Sequence, residues 1–216
     1  MEKTVNGTVA QQIAEAIAIQ IAEGTLMPGQ KLVETDLSKE FNISRSPIRE
    51  ALFILESQGV VEKIPRRGVF VKEISFKEIS DLYDVVYTIT ELAINRGIMI
   101  CTREQIDELK RLIDEMQATI DKREVKKCHL VVEELHLRLI QLSNNNVLID
   151  VYQRLNMRWT TFRYLTLSHP ISLSRSAAEY SQIVKGIENK DFTEIPGILQ
   201  IKKKRGMSIL ESIVRD

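Results

Sequence analysis

The stretch NISRSPIREALFILESQGVVEKIPRRGVFV, residues 42–71, decides the fold of the first third of the chain. Ile48, Ala51, Leu52 and Leu55 recur at helical spacing and make one inward stripe, and Ser44 stands where a helix N-cap belongs. Arg45 and Arg49 are four residues apart and lie about a third of a turn around from that stripe, so both can face outward while the helix stays anchored. Val60, Val61 and Ile64 then lead into PRRG at 65–68 and out through Val69, Phe70 and Val71, the pattern of a small β-hairpin. Upstream, Ala10, Ile13, Ala14, Ile17, Ala18 and Ile21 form an apolar stripe ended by Gly24 and the PG turn at 28–29. ETDLSKEF at 34–41 predicts a two-turn helix, and NIS at 42–44 is a tight connection to the next. Three helices and a hairpin make a winged helix-turn-helix over residues 1–74.

Beyond it the composition changes. Gly and Pro crowd the first third, whereas Gly97 is the only one between residues 69 and 169. SFKE at 75–78 has the form of a capping box and marks a second domain, 75–216, read as helices at roughly 76–99, 103–120, 123–142, 146–167, 173–189 and 193–213. TREQ at 102–105 is a second capping box, and SNNN at 143–146 and HP at 169–170 are breaks. The expected fold is therefore mainly α: a winged head, then an antiparallel bundle of about six helices.

The charge balance limits what the chain can bind. Thirty basic and thirty acidic residues leave no net charge, and 44% hydrophobic residues suffice for a real core, which excludes disorder as the main state. Residues 1–74 carry nine basic and ten acidic side chains. Any hold on DNA must come from placement and from two copies acting together. No apolar run approaches the roughly twenty residues that cross a bilayer, and MEKTVNGTV lacks a signal-like stretch, so a cytoplasmic protein without a membrane partner is expected. Cys101 and Cys128 lie in no C-x-x-C pair and read as reduced, helix-packed thiols.

Placement favours DNA. An arginine fork matches guanine O6 and N7 bidentately, and the first turn of a recognition helix is the part that enters a major groove, which makes Arg45 and Arg49 the candidate readers. Ser44 and Ser46 at the same helix end suit phosphate. Arg66, Arg67 and Gly68 put two cations and a glycine on a narrow turn able to approach the sugar-phosphate backbone or minor groove.

The segments IAEGTLMPGQKL (21–32) and LSKEFNISRSPIREALFILESQGVVEKIPRRGVFV (37–71) resemble the DNA-binding domain of GntR-type bacterial transcription regulators, through G-x-L-x-P-G, S-R-x-P-I-R-E-A-L and P-x-R-G. The resemblance implies a homodimer on a short palindromic double-stranded operator, with Arg45 and Arg49 on bases and the Gly68 wing tip at the groove. Thr35 occupies a position where some relatives place a DNA-contacting arginine. The second domain is similar to the FCD sensor of the FadR-type branch, through ITELA at 89–93, LHLRLIQLSNNNVL at 135–148 and EYSQIVKGIENKD at 179–191.

Many such sensors hold a divalent metal with an Asp and a His four apart and two further His, and sense small carboxylates. Here His136 is kept, but Val132, Tyr180 and Lys202 stand at the other three positions. One imidazole cannot hold a metal, and a lysine cation would repel one, so no metal and no cofactor is expected. A lysine can instead pair directly with an anion. Lys202 is accordingly the leading effector anchor, His136 and Tyr180 add directional hydrogen bonds, Arg158 or Arg163 supplies a fork, and Trp159 and Tyr87 form walls. The resulting expectation is a transcriptional regulator, most simply a repressor, controlled by a small acidic metabolite. The competing class, a helical-bundle metalloenzyme, rests on Glu133-x-x-His136, but the second such pair it needs is missing at His129 and His169. No G-x-S-x-G elbow, P-loop or G-x-G-x-x-G supports another enzyme.

Overall fold

The computed structural model describes residues 8–73 and 75–215, with the side chains of Ala22, Met157, Thr161, Pro170, Ile171 and residues 213–215 excepted. The expected boundary residue, Ile74, lies outside them. By its contacts the chain separates into two compact units, Met1–Ser75 and Phe76–Asp216.

In the first unit, α1 (Val9–Ala22) starts from a capping box in which Thr8 and Gln11 exchange side-chain and backbone bonds. It buries Ala10, Ile13, Ala14, Ile17 and Ala18 and packs on α3 (Arg45–Ser57), whose Ile48, Ala51, Leu52 and Leu55 are all buried. Between them, α2 (Glu34–Glu40) stops in a Schellman turn: the Ile43 N–H bonds to the Ser38 carbonyl at 3.0 Å and the Asn42 N–H to the Lys39 carbonyl at 3.2 Å. Asn42 takes φ 51°, which its short polar side chain tolerates. That turn sets the entry of α3. Ser44 sits in extended backbone at the N-cap, but its side chain makes no capping hydrogen bond, contrary to the sequence expectation.

The wing is larger than a hairpin. β2 (Val61–Ile64) and β3 (Gly68–Val71) pair antiparallel, and a two-residue strand, β1 (Lys31–Leu32), joins the free edge of β3, giving the order β1-β3-β2. Lys31 lies opposite Phe70, and Leu32 opposite Val69. Leu32, Val61 and Val71 are buried, while Lys31, Glu62 and Phe70 share the opposite face.

The second unit consists of α4 (Phe76–Gly97), α5 (Arg103–Asp121), α6 (Val125–Gln141), α7 (Asn146–Ser168), α8 (Pro170–Glu188) and α9 (Ile195–Arg215). α4 packs on α6, α7 and α9, α5 on α6 and α8, and α8 on α7 and α9. The Thr102–Gln105 capping box forms as expected. The HP break is a single residue: His169 both ends α7 and precedes α8. Cys128 is buried in α6, but Cys101 lies between α4 and α5, not within a helix, and both are free thiols. Among the described residues no helix is long and apolar enough to cross a membrane.

Candidate functional site

In the first unit, the buried stripe of α3 turns Arg45, Ser46 and Arg49 to solvent. Arg49 is engaged: its Nε–H donates to Glu34 Oε2 on α2 at 2.7 Å, with the arginine side chain 65% exposed. Ser46 Oγ approaches Glu50 at 3.5 Å, and Thr35 Oγ1 approaches Asp36 at 3.4 Å, both long contacts. Phe53, four residues beyond Arg49, continues the outward stripe as an exposed aromatic.

At the wing tip the Arg67 N–H bonds to the Ile64 carbonyl at 3.0 Å, closing a turn with Pro65 at its second position and Arg66 at its third. Arg66 has φ 62°, which makes the turn type II with an arginine where glycine is usual. The Arg67 guanidinium lies 5.5 Å from the Phe70 ring centroid. Gly68, at φ 113°, leaves room for Lys31, whose Cε would stand 3.0 Å from an added Cβ. Lys31 thus joins Lys63, Arg66 and Arg67 as a wing cation, one that sequence reasoning did not single out. No local pattern signals it, because a strand of only two residues brings it there.

In the second unit a cavity of about 30 Å³ opens among α4, α6, α7, α8 and α9. Tyr87, Trp159, Arg163, Tyr180 and Lys202 line it together with Val132, Ser176 and Arg205. His136 is not on the wall but behind it, its ring 5.9 Å from that of Trp159 and 6.0 Å from that of Tyr180. Arg158 is not among the lining residues. Lys202 is buried, its Nζ 3.7 Å from the centre of the Tyr180 ring and 3.2 Å from Glu179 Oε2. Burial draws its pKa down to about 8, with Glu179 opposing and Arg205 adding to the fall.

Sequence reasoning missed Glu179 and Arg205. Both Arg205 Nη groups pair with the Glu179 carboxylate, and Nη2 also donates to Ser176 Oγ at 3.2 Å. Burial pushes the Glu179 carboxyl upward, but Arg205 and Lys202 hold it below the ordinary value, so it stays ionised. Arg163 is buried, with Nη2 donating to Thr160 Oγ1 at 3.2 Å and lying 3.6 Å from Glu133 Oε2, while Nε and Nη1 have no partner. Burial, then Arg163 and Lys202, hold His136 well below its ordinary pKa, so it is neutral.

The positions that would carry the metal of related sensors do not fit one. Val132 offers no donor, and a lysine ammonium occupies another corner. Glu133, the carboxylate of the metalloenzyme reading, accepts from Asn156 Nδ2 at 2.7 Å. Among the described residues no group of three or more His, Cys, Asp or Glu is placed to hold a metal.

Comparison with known proteins separates the same two parts. Residues 9–71 match the model for bacterial regulatory proteins of the gntR family, and residues 81–195 match the FCD domain. The chain is 28% identical to the uncharacterised HTH-type transcriptional regulator YdhC of Bacillus subtilis (strain 168), over 63% of this chain and 61% of that protein. It is 23% identical to the HTH-type transcriptional repressor RspR of Escherichia coli (strain K12), over 85% of this chain and 80% of that protein. The solved structure of E. coli McbR/YncC superposes with a TM-score of 0.80 at 21% identity, covering 96% of this chain and 99% of the other, a likeness of fold.

Proposed function

The chain belongs to the gntR family of bacterial regulatory proteins and carries an FCD domain, and from that premise we propose how it reads DNA and how a ligand governs the reading. It is a transcription regulator and not an enzyme. Its operator is a short palindrome bound by a homodimer. Arg45 and Arg49 reach base edges in the major groove, Ser44 and Ser46 approach phosphates, Thr35 lies beside them, and Arg66, Arg67 and Gly68 with Lys31 follow the backbone or minor groove. The observation that carries this reading is the exposed arginine pair on the first two turns of α3, held outward by four buried residues of the same helix.

A dimer supplies what net charge does not, since two heads on one operator multiply modest affinities. Support for pairing comes from apolar residues exposed on the second unit: Val85 and Leu92, seven apart on α4, and Val147 and Val151, four apart on α7. A small acid bound among Arg163, Lys202 and Tyr180 would favour one bundle arrangement over another. The spacing of the recognition helices then no longer matches the half-sites, and the operator is released. Repression relieved by ligand is the direction proposed, in keeping with the name of RspR.

The test is titration of the purified protein against its own upstream DNA and a scrambled control at moderate salt. Sequence preference, with one dimer per palindrome, is the expected result. Equal affinity for both DNAs overturns the reading.

A further inference from the structure

The cavity wall carries three cations, Arg163, Lys202 and Arg205, and a carboxylate of the chain itself occupies two of them. Glu179 bridges Lys202 and Arg205, with Ser176 donated to by the same Arg205 Nη2 that reaches Glu179. Two cations, a hydroxyl and the Tyr180 ring behind Lys202 form a cradle suited to a carboxylate group. Its occupant sits toward the rim: the Glu179 side chain is 13% exposed, against 5% for Lys202.

Arg163 is engaged on one edge only, its Nη2 donating to Thr160 Oγ1 at 3.2 Å and lying 3.6 Å from Glu133 Oε2. Its side chain is 4% exposed, yet Nε and Nη1 have no hydrogen-bond partner, and Trp159 Nε1 on the same wall has none either. Buried donors of a charged group left unpaired are costly, and such groups point to a missing acceptor. One wall therefore holds an occupied carboxylate cradle and, beside it, buried donors of Arg163 and Trp159 that no acceptor of the chain meets. The room left, about 30 Å³, holds little more than a water or two, so any larger ligand needs space that Glu179 now takes.

Resting on the effector reading above, we infer that the ligand is a small dicarboxylate that binds Arg163 with one end and displaces Glu179 from Lys202 and Arg205 with the other. Glu179 is a built-in stand-in for the effector. In the ligand-free form it ties α8 to α9. The dicarboxylate replaces that ionic tie with one from α7 through the ligand to α9 and leaves α8 held to Arg205 through Ser176 alone, a discrete exchange of links that gives the bundle two arrangements.

The experiment compares the full-length wild type with Glu179→Gln by calorimetric titration with succinate and acetate, sodium concentration held constant. Removing the internal competitor without changing shape should tighten succinate binding on the order of tenfold, because the competent state is no longer masked. Adding Arg163→Met should abolish the preference for succinate over acetate while leaving the acetate gain. Should Glu179→Gln fail to fold, Glu179→Asp, which keeps the charge but shortens the reach, should show the same direction with a smaller gain. Unchanged or weaker binding of both acids by the folded Glu179 variant overturns the inference. Operator titrations of the same proteins separate it from the reading beneath. Tighter succinate binding with no effect on DNA sinks ligand control of the operator and leaves the displacement standing. An acid that releases wild-type protein from DNA but binds the Glu179 variant no better does the reverse.

Discussion

Replacing Arg49 by alanine tests the reading head most directly, because Arg49 has a partner within the chain that a base contact would have to break. Its Nε–H is bonded to Glu34 at 2.7 Å on an exposed face. An exposed ion pair of this kind contributes about 0.2 to 1 kcal/mol, so folding should hardly notice the substitution. A bidentate arginine-guanine contact is worth about 1 to 3 kcal/mol of discrimination. Operator affinity should therefore fall by about 5- to 150-fold, a value that understates the contact by whatever breaking the Glu34 pair costs. Glu34→Gln removes that cost. It should tighten operator binding by about 1.4- to fivefold, the equivalent of the lost ion pair. The gain should vanish in the double variant, since the two residues act through one pair. Fluorescence anisotropy with operator and scrambled duplexes at several salt concentrations provides the readout. A base reader loses specific affinity with relaxed preference at one operator position. Equal losses on both duplexes, with the salt slope lowered by about one, would identify a phosphate contact instead, and unchanged affinity would remove Arg49 from the interface.

Other consequences are open to measurement. Arg66→Gly relieves a positive φ at the wing tip and should raise the stability of the first unit by up to about 1 kcal/mol in urea titrations while weakening operator binding; a gain in both would mean the side chain has no role on DNA. Burial, then Arg163, lowers the His129 pKa to about 3, so below its ordinary 6.5 the unfolded chain takes up a proton that the folded one refuses. Stability is then full above pH 6.5 and lost on acidification, by about 2 kcal/mol between pH 7 and 5 for this group alone; His129→Phe should flatten that part of a pH series of urea midpoints, and an unchanged slope would refute it. Gly97→Ala would set a Cβ 2.4 Å from the Leu142 carbonyl oxygen, forcing apart the end of α4 and the chain that leaves α6, and should cost at least about 1 to 3 kcal/mol by thermal melting; a neutral result would mean the two segments do not approach so closely.

How much of this was legible in the sequence depended on period. The α3 stripe, the six later helices and the Thr102 capping box were legible because each rests on local spacing that survives folding. The strand Lys31–Leu32 was not, because two residues have no period; it exists only where the Gln30 carbonyl and the Gly29 N–H meet Val71, a long-range pairing. In the cavity, Tyr87, Trp159, Arg163, Tyr180 and Lys202 were named and lie together, whereas Arg158 does not join them. Glu179 and Arg205 were overlooked although their neighbours were singled out. The run KKKR reads as a solvated patch, but a helix separates it: Lys202 and Arg205, three apart, turn inward, and Lys204 faces solvent. Glu179 follows from the same rule once Lys202 is known to be buried, because a buried ammonium needs a counter-charge.

The two units also differ in what their cores contain. Every buried polar or charged side chain among the described residues lies in Phe76–Asp216, including Arg163, Lys202, His129 and His136, while the first unit buries only apolar side chains. An apolar core suits a part that must hold Arg45 and Arg49 in one geometry. A buried ionic group, by contrast, is often no more stabilising than a well-packed apolar replacement, so such a cluster is weak evidence for stability. Val132 sharpens the point. With an apolar residue where related sensors place a metal-binding Asp, the neighbouring His136 is left buried and neutral with Nδ1 unpartnered, and Arg163 keeps two nitrogens without acceptors. Substitution of these groups by Leu or Met would relieve those costs. Arg163 stands on, and His136 behind, the wall of a cation-lined cavity, in keeping with the anion site proposed above.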